Sequence, residues 1–144
     1  MPMLSEDLNI NEGKLIVFTD GGARGNPGPA ALGVVIYDAS GKIVKKYGRY
    51  LGEKTNNEAE YEAVISALES SSELGAEYVD FNLDSELVVR QLNGIYKVKN
   101  HRMQALLIRV RNLETKFKKI TFKHIPREKN HLADELVNKA IDEK

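Results

Sequence analysis

The sequence of 144 residues contains no cysteine. Disulfides and thiolate zinc sites are thereby excluded, and the chain suits a reducing compartment. No apolar run approaches the length of a membrane-spanning helix. The opening "MPMLSEDLNINEGK" is polar and acidic, without the basic and apolar regions of a signal peptide. A cytoplasmic protein without a membrane partner is the expectation. Low-complexity tracts and internal repeats are absent, and no linker is long enough to divide the chain. What is present is an ordinary globular composition, 42% hydrophobic and 29% charged, of one-domain length. Residues 1–13 read as a polar N-terminal extension and 14–144 as one domain.

A net charge is also missing, but the zero hides an asymmetry. Residues 1–96 hold 8 Lys/Arg and 15 Asp/Glu; residues 97–129 hold 11 and 2; the last fifteen hold 2 and 4. The segments therefore carry −7, +9 and −2. Such a split suits a polyanionic partner against one segment and a carboxylate-rich site in another; solvated helix faces are the plainer alternative.

The hydrophobic pattern gives the element order. "KLIVFTD" (14–20) is a short apolar run that ends at glycines, a strand. Residues 30–51 read as two more strands about the turn Asp38–Gly41, antiparallel through short loops. "TNNEAEYEAVISALESSSELG" (55–75) switches to helical period, with Thr55, Asn56 and Asn57 as cap-type residues and Gly75 as a stop. "AEYVDFNLD" (76–84) is a strand, "SELVVRQLNG" (85–94) a short helix, and 99–117 a longer one. "KKITFKHI" (118–125) is a strand closed by Pro126, and 130–144 is a last helix. Helical crossovers make the later strands parallel. The expected fold class is α/β, a mixed sheet with helices on its faces.

Two carboxylates, Asp20 and Asp84, each terminate an apolar strand. Ligands collect beyond the carboxyl ends of strands joined by helical crossovers. Alone, each is as readily a turn-former as a ligand. Together, on neighbouring parallel strands, they would sit side by side and repel unless a cation is present. Glu60 lies three and four residues before Ala63 and Val64, on the stripe continued by Ala67, Leu68 and Ser71 that must meet the sheet. Glu58 and Glu62 fall on other faces and read as solvated charges near a helix start. Asp134 sits at the edge of the stripe Ala133, Leu136, Val137, Ala140 and Ile141; small Ala133 would allow close approach to the sheet. Four acids without cysteine or a histidine pair suit a hard cation, Mg²⁺ or Mn²⁺. Two such ions about 3.5–4 Å apart can activate a water and stabilise a leaving oxygen in phosphodiester cleavage.

Beside Asp20, the glycine-rich "DGGARGNPG" suits a phosphate cradle, a tight turn or a metal site. It lacks the Gly-Lys-Ser/Thr of a phosphate-binding loop and leads into a strand. "FTDGGARGNPGPAALGVVI", "TNNEAEYEAVISAL", "DSELVVRQLNG" and "NHLADEL", in that order and spacing, resemble type 1 ribonuclease H over nearly the whole chain from about residue 14. The form resembles the compact one without a hybrid-binding domain or basic protrusion. The resemblance implies a ribonuclease H-like fold, a five-stranded mixed sheet flanked by helices on both faces. It implies Mg²⁺-dependent hydrolysis of the RNA strand of RNA–DNA hybrids by an acid tetrad of Asp20, Glu60, Asp84 and Asp134, with Mn²⁺ as a substitute. It implies that Asn26 and Thr55 hold a DNA phosphate and that Asn56 and Asn57 touch the minor groove. Backbone at Gly21 and Gly22 would meet RNA 2′-hydroxyls, with Ser85 among the contacts. For the asparagines, helix capping is the plainer role, expected of one of them.

Members of the resembled family that carry a protrusion place an aromatic where the DNA strand bends; with no tryptophan in this chain, Tyr96 is the nearest candidate the resemblance offers, core packing being the alternative. Lys97, Lys99 and Arg102, in the basic segment, are expected to contact phosphates. In the loop before the last acid, Arg127, Glu128 and His131 are candidates for an auxiliary role. Double-stranded RNA is a second candidate partner, and a monomer is expected. The competing readings are a non-catalytic module of the same fold that binds hybrid or double-stranded RNA, and a DNA-directed nuclease or recombinase of the wider superfamily.

Overall fold

The computed structural model describes residues 13–144, so most of the polar N-terminal extension lies outside the described residues. Five strands form one sheet in the order β3-β2-β1-β4-β5. β1 (Lys14–Ala23), β2 (Gly28–Asp38) and β3 (Ile43–Lys54) are antiparallel neighbours. β4 (Tyr78–Leu83) runs parallel to β1, and β5 (Lys119–His124) parallel to β4. That is the mixed sheet expected from short loops first and helical crossovers later. Among the described residues, no helix is long and apolar enough to cross a membrane.

Helix α1 (Asn56–Glu73) packs on β1 and β2, and α3 (His101–Glu114) packs on α1 from outside. α2 (Glu86–Leu92) bridges to β5, and α4 (His131–Asp142) covers the other face over β1, β2 and β3. The main core lies between the sheet and α1, with Val17, Leu32, Val34, Val64, Leu68, Val79 and Phe81 all fully buried.

Three local readings change. β1 does not stop at Asp20 but pairs with β2 through Ala23, so Gly21 and Gly22 are strand residues. A Cβ at Gly21 would stand 2.2 Å from the Ala59 carbonyl carbon, so this glycine lets α1 press against the strand beside the acids. The chain turns later, at Gly25, which has φ +88°. The helix cap is Thr55, not an asparagine: its hydroxyl accepts from the Glu58 backbone N–H, and the Glu58 carboxylate accepts from the Thr55 N–H. Glu58 is consequently buried, 8% exposed, because this capping box and α3 enclose it. α1 as a whole is buried beyond its predicted stripe, since the sheet takes one side and α3 another.

Close approach of α4 depends more on the sheet than on Ala133. A Cβ at Gly33 would lie 2.2 Å from the Ala133 carbonyl oxygen, so β2 offers bare backbone there. The first turns of α4 are thereby held down over the strand end that carries Asp20.

Candidate active site

The parallel register pairs Phe18 with Asn82, so two residues further on Asp20 stands level with Asp84. α1 adds Glu60 from above. Carboxylate oxygens of Asp20, Glu60 and Asp84 lie within 4.8 Å of one another. Asp134 lines the same open cleft, of about 330 Å³, but stands outside that trio. Its carboxylate is 3.9 Å from the Arg127 guanidinium.

Asp20 and Glu60 are each 7% exposed. Burial, then the charges of Asp84 and Asp134, push the Asp20 carboxyl up to about 8. Glu60 is raised well above the ordinary carboxylate range, first by burial and then by Asp20 and Asp84. The Arg127 guanidinium opposes both shifts as a minor contribution. Glu58 moves the other way, lowered chiefly by the Thr55 backbone N–H that it accepts. The two helix glutamates are both buried, yet their environments differ in sign: one is hydrogen-bonded as an anion, the other is crowded by anions.

This donor set fits a hard divalent cation. All its ligand atoms are oxygens, and they converge from three elements. Glu60 Oε1 is buried with no hydrogen-bond partner among the described residues. A buried carboxylate oxygen left without a donor is costly unless something else satisfies it.

Asn130 is a part of the site that sequence reasoning missed. It is 2% exposed and immediately precedes α4, where a capping asparagine would be expected, yet its side chain makes no cap. Its amide donates to the Thr19 carbonyl at 2.8 Å and to Asp84 Oδ2 at 3.0 Å. It thus ties the start of α4 to both acid-bearing strands. Its position four residues before Asp134 was the available signal.

Substrate-side candidates divide into groups. Asn26 Oδ1 accepts the Asn56 N–H, and Asn56 Oδ1 accepts the Ala23 N–H, so both asparagines fasten the β1–β2 hairpin to α1. Asn26, Thr55, Asn57, Glu58 and Arg102 line a second recess together with Asn100, whose side chain caps α3. Arg102 lies 3.6 Å from the Glu58 carboxylate. Ser85 caps α2 through the Val88 N–H. Tyr96 is 47% exposed with the Arg90 guanidinium against its ring, so it is not a core residue. Lys97 and Lys99 are exposed. The loop before α4 contains a short 3-10 turn, Arg127–Lys129. Of the three auxiliary candidates only Arg127 lines the acid cleft; Glu128 is exposed, and His131, the first residue of α4 and not a loop residue, borders a separate recess with Phe18 and Tyr37.

Strand order, mixed direction and helices on both faces define the ribonuclease H-like class of fold. Residues 18–140 match the family described as "Reverse transcriptase-like". Ribonuclease HI of Halobacterium salinarum is 40% identical over 131 residues, which are 91% of this chain and 66% of that protein. A bifunctional protein of Mycobacterium tuberculosis is 38% identical over 130 residues, 90% of this chain and 36% of its own length. The chain therefore spans about two thirds of the first relative and little more than a third of the second. The crystal structure of RNase H1 from H. salinarum superposes with a TM-score of 0.89 at 39% identity, covering 92% of this chain and all of that one. The LC11-RNase H1 solved with an RNA/DNA hybrid superposes at 0.86 with 48% identity, over 90% and 97% of the two chains. The chain belongs to the reverse transcriptase-like family, within it as a type 1 ribonuclease H domain.

Proposed function

We propose that this chain is an endonuclease that hydrolyses the RNA strand of RNA–DNA hybrids with Mg²⁺, Mn²⁺ serving as a substitute. The observation that carries the reading is the buried trio Asp20, Glu60 and Asp84, with one Glu60 oxygen unpartnered and two carboxyls raised by burial and by the neighbouring acids. Divalent cations held by Asp20, Glu60 and Asp84, with Asp134 beside them, would supply a nucleophilic water at neutral pH and neutralise charge on the phosphate. Asp20 and Asp84 come from the sheet and fix the floor of the cleft. Glu60 comes from the helix, where it can ligate or hold the attacking water. Asn130 orients Asp84. Arg127, exposed on the far rim, is the loop residue placed to approach substrate phosphate. Two relatives bear ribonuclease H names and one was solved holding an RNA/DNA hybrid, which supports the choice of substrate.

Cleavage assays on labelled hybrid, double-stranded RNA and double-stranded DNA, each with and without Mg²⁺, test the reading. Metal-dependent loss of the RNA strand of the hybrid is expected. Binding without cleavage would make the chain a hybrid-binding module, and cleavage confined to DNA would move it elsewhere in the superfamily.

The DNA strand is assigned to the recess of Asn26, Thr55, Asn57 and Arg102, with Lys97 and Lys99 extending it. Bound cations release counterions from the nucleic acid, so affinity falls with salt at a log–log slope of about −0.9 per phosphate neutralised on a B-form duplex. Replacing Lys97, Lys99 and Arg102 by glutamine is expected to flatten the slope by about two to three. An unchanged slope would remove this edge from the interface.

A further inference from the structure

Helix α4 carries a polar strip past the acid cleft. Asp134, Asn138 and Asp142 recur every four residues and so stack along one side of the helix. A guanidinium stands at each end. Arg127 is 3.9 Å from Asp134. At the other end Arg24 donates to the Asp142 carboxylate and lies 3.4 Å from both the backbone and side-chain oxygens of Asn138. Eight helical residues separate the ends, roughly 12 Å. Among the residues that line the cleft with Asp20, Glu60 and Asp84, Arg24 and Arg127 are the two cations.

Arg24 belongs to the hairpin that leaves β1. Asp20 and Gly22 alternate on one face of that strand, and Gly22 leaves the face bare between the acid and the hairpin. Divalent cations held by the acids would neutralise the phosphate being cut, and fixed cations on either side of the cleft are placed to meet the flanking phosphates. Arg24 is fixed in this sense: α4 holds its side chain, which remains 47% exposed. The α4 contacts engage two of its three nitrogens, and the five-donor fork has hydrogens to spare. Holding a long side chain in place beforehand lowers the ordering cost of binding.

We propose that Arg24 is an anchor for a phosphate of the RNA strand, separate from the one being cut. It engages the RNA strand because it lines the acid cleft, whereas the candidate DNA recess is lined by Asn26, Thr55, Asn57, Asn100 and Arg102. The anchored phosphate lies within about four nucleotides of the cut, since the rise is about 3.4 Å per nucleotide of one strand. The inference rests on the hybrid-nuclease reading above.

A set of hybrids, each with one RNA phosphate replaced by an uncharged methylphosphonate, tests it against the wild type, Arg24→Ala and Arg24→Lys. For the wild type, KM should rise about tenfold at one position near the cut, the effect of losing a hydrogen bond to a charged group. Arg24→Ala should raise KM about tenfold on the unmodified hybrid, with kcat within about twofold, and suffer no further loss at that position. Arg24→Lys, which keeps the charge without the fork, should fall between them and show the same position. An unchanged KM in Arg24→Ala overturns the proposal. So does a methylphosphonate penalty that is equal in wild type and variant at every position, which is the pattern of a merely structural arginine. If the wild type cleaves no hybrid in the set, the hybrid-nuclease reading itself fails.

Discussion

Glu60→Gln should lower hybrid cleavage by several orders of magnitude while hybrid binding persists. The substitution keeps the shape and hydrogen-bonding capacity of the side chain and removes only its charge. In the structure that charge faces Asp20 and Asp84, and one of its oxygens has no partner. Its neighbour provides the control. Glu58 is as buried as Glu60, but its carboxylate is committed to the Thr55 N–H and lies near Arg102. Glu58→Gln therefore acts on stability: glutamine still completes the capping box, and the lost negative charge near the helix start is worth about 0.3–1 kcal/mol. Its turnover should change by no more than a few-fold. Single-turnover kinetics with thermal melts separates the two effects. An inactive Glu58→Gln beside an active Glu60→Gln would show that the catalytic glutamate is misassigned.

Asp20→Asn should abolish cleavage and stabilise the metal-free protein at pH 8. Burial and neighbouring anions raise the Asp20 carboxyl from 3.8 to about 8 in the folded chain. Between those values the folded state binds a proton that the unfolded state has released. Stability must then fall as pH rises from about 4 to 8. Glu60 contributes in the same direction. Urea unfolding at pH 5 and pH 8, without metal, should show the wild type losing stability more steeply than Asp20→Asn. Mg²⁺ should restore the wild type at pH 8, because a ligand that binds only the folded state stabilises it. A variant that is less stable than the wild type at both pH values would mean that Asp20 serves the fold.

Much of this site was legible in local sequence patterns. Asp20 and Asp84 were found because each terminates an apolar strand, and parallel pairing sets such ends side by side. Glu60 was found because helical phase makes it continue Val64, Ala67 and Leu68, all of which are buried. What was not legible depends on distant contacts. Glycines after an apolar run signal a turn, yet β1 continues through Gly21 and Gly22 because β2 pairs with them and α1 presses on the bare backbone. Glu58 was read as solvated because its face of α1 points away from the sheet, and α3 covers that side only in the folded chain. Asn130 reaches a strand 111 residues earlier, and Arg24 reaches a helix residue 118 positions later. No periodicity within either segment carries such information.

On the proposed reading, three crowded carboxylates form a divalent-cation site that exchanges protons for metal. Calorimetric titration of the wild type with Mg²⁺ at pH 6.5, in buffers of different ionisation enthalpy, tests it most directly. Metal ligands must be deprotonated, so binding should release about one proton or more per chain. Asp20→Asn should release fewer, and the metal dependence of hybrid cleavage should follow the same binding curve. Binding without proton release, or hybrid cleavage at full rate in the presence of excess chelator, would contradict the account.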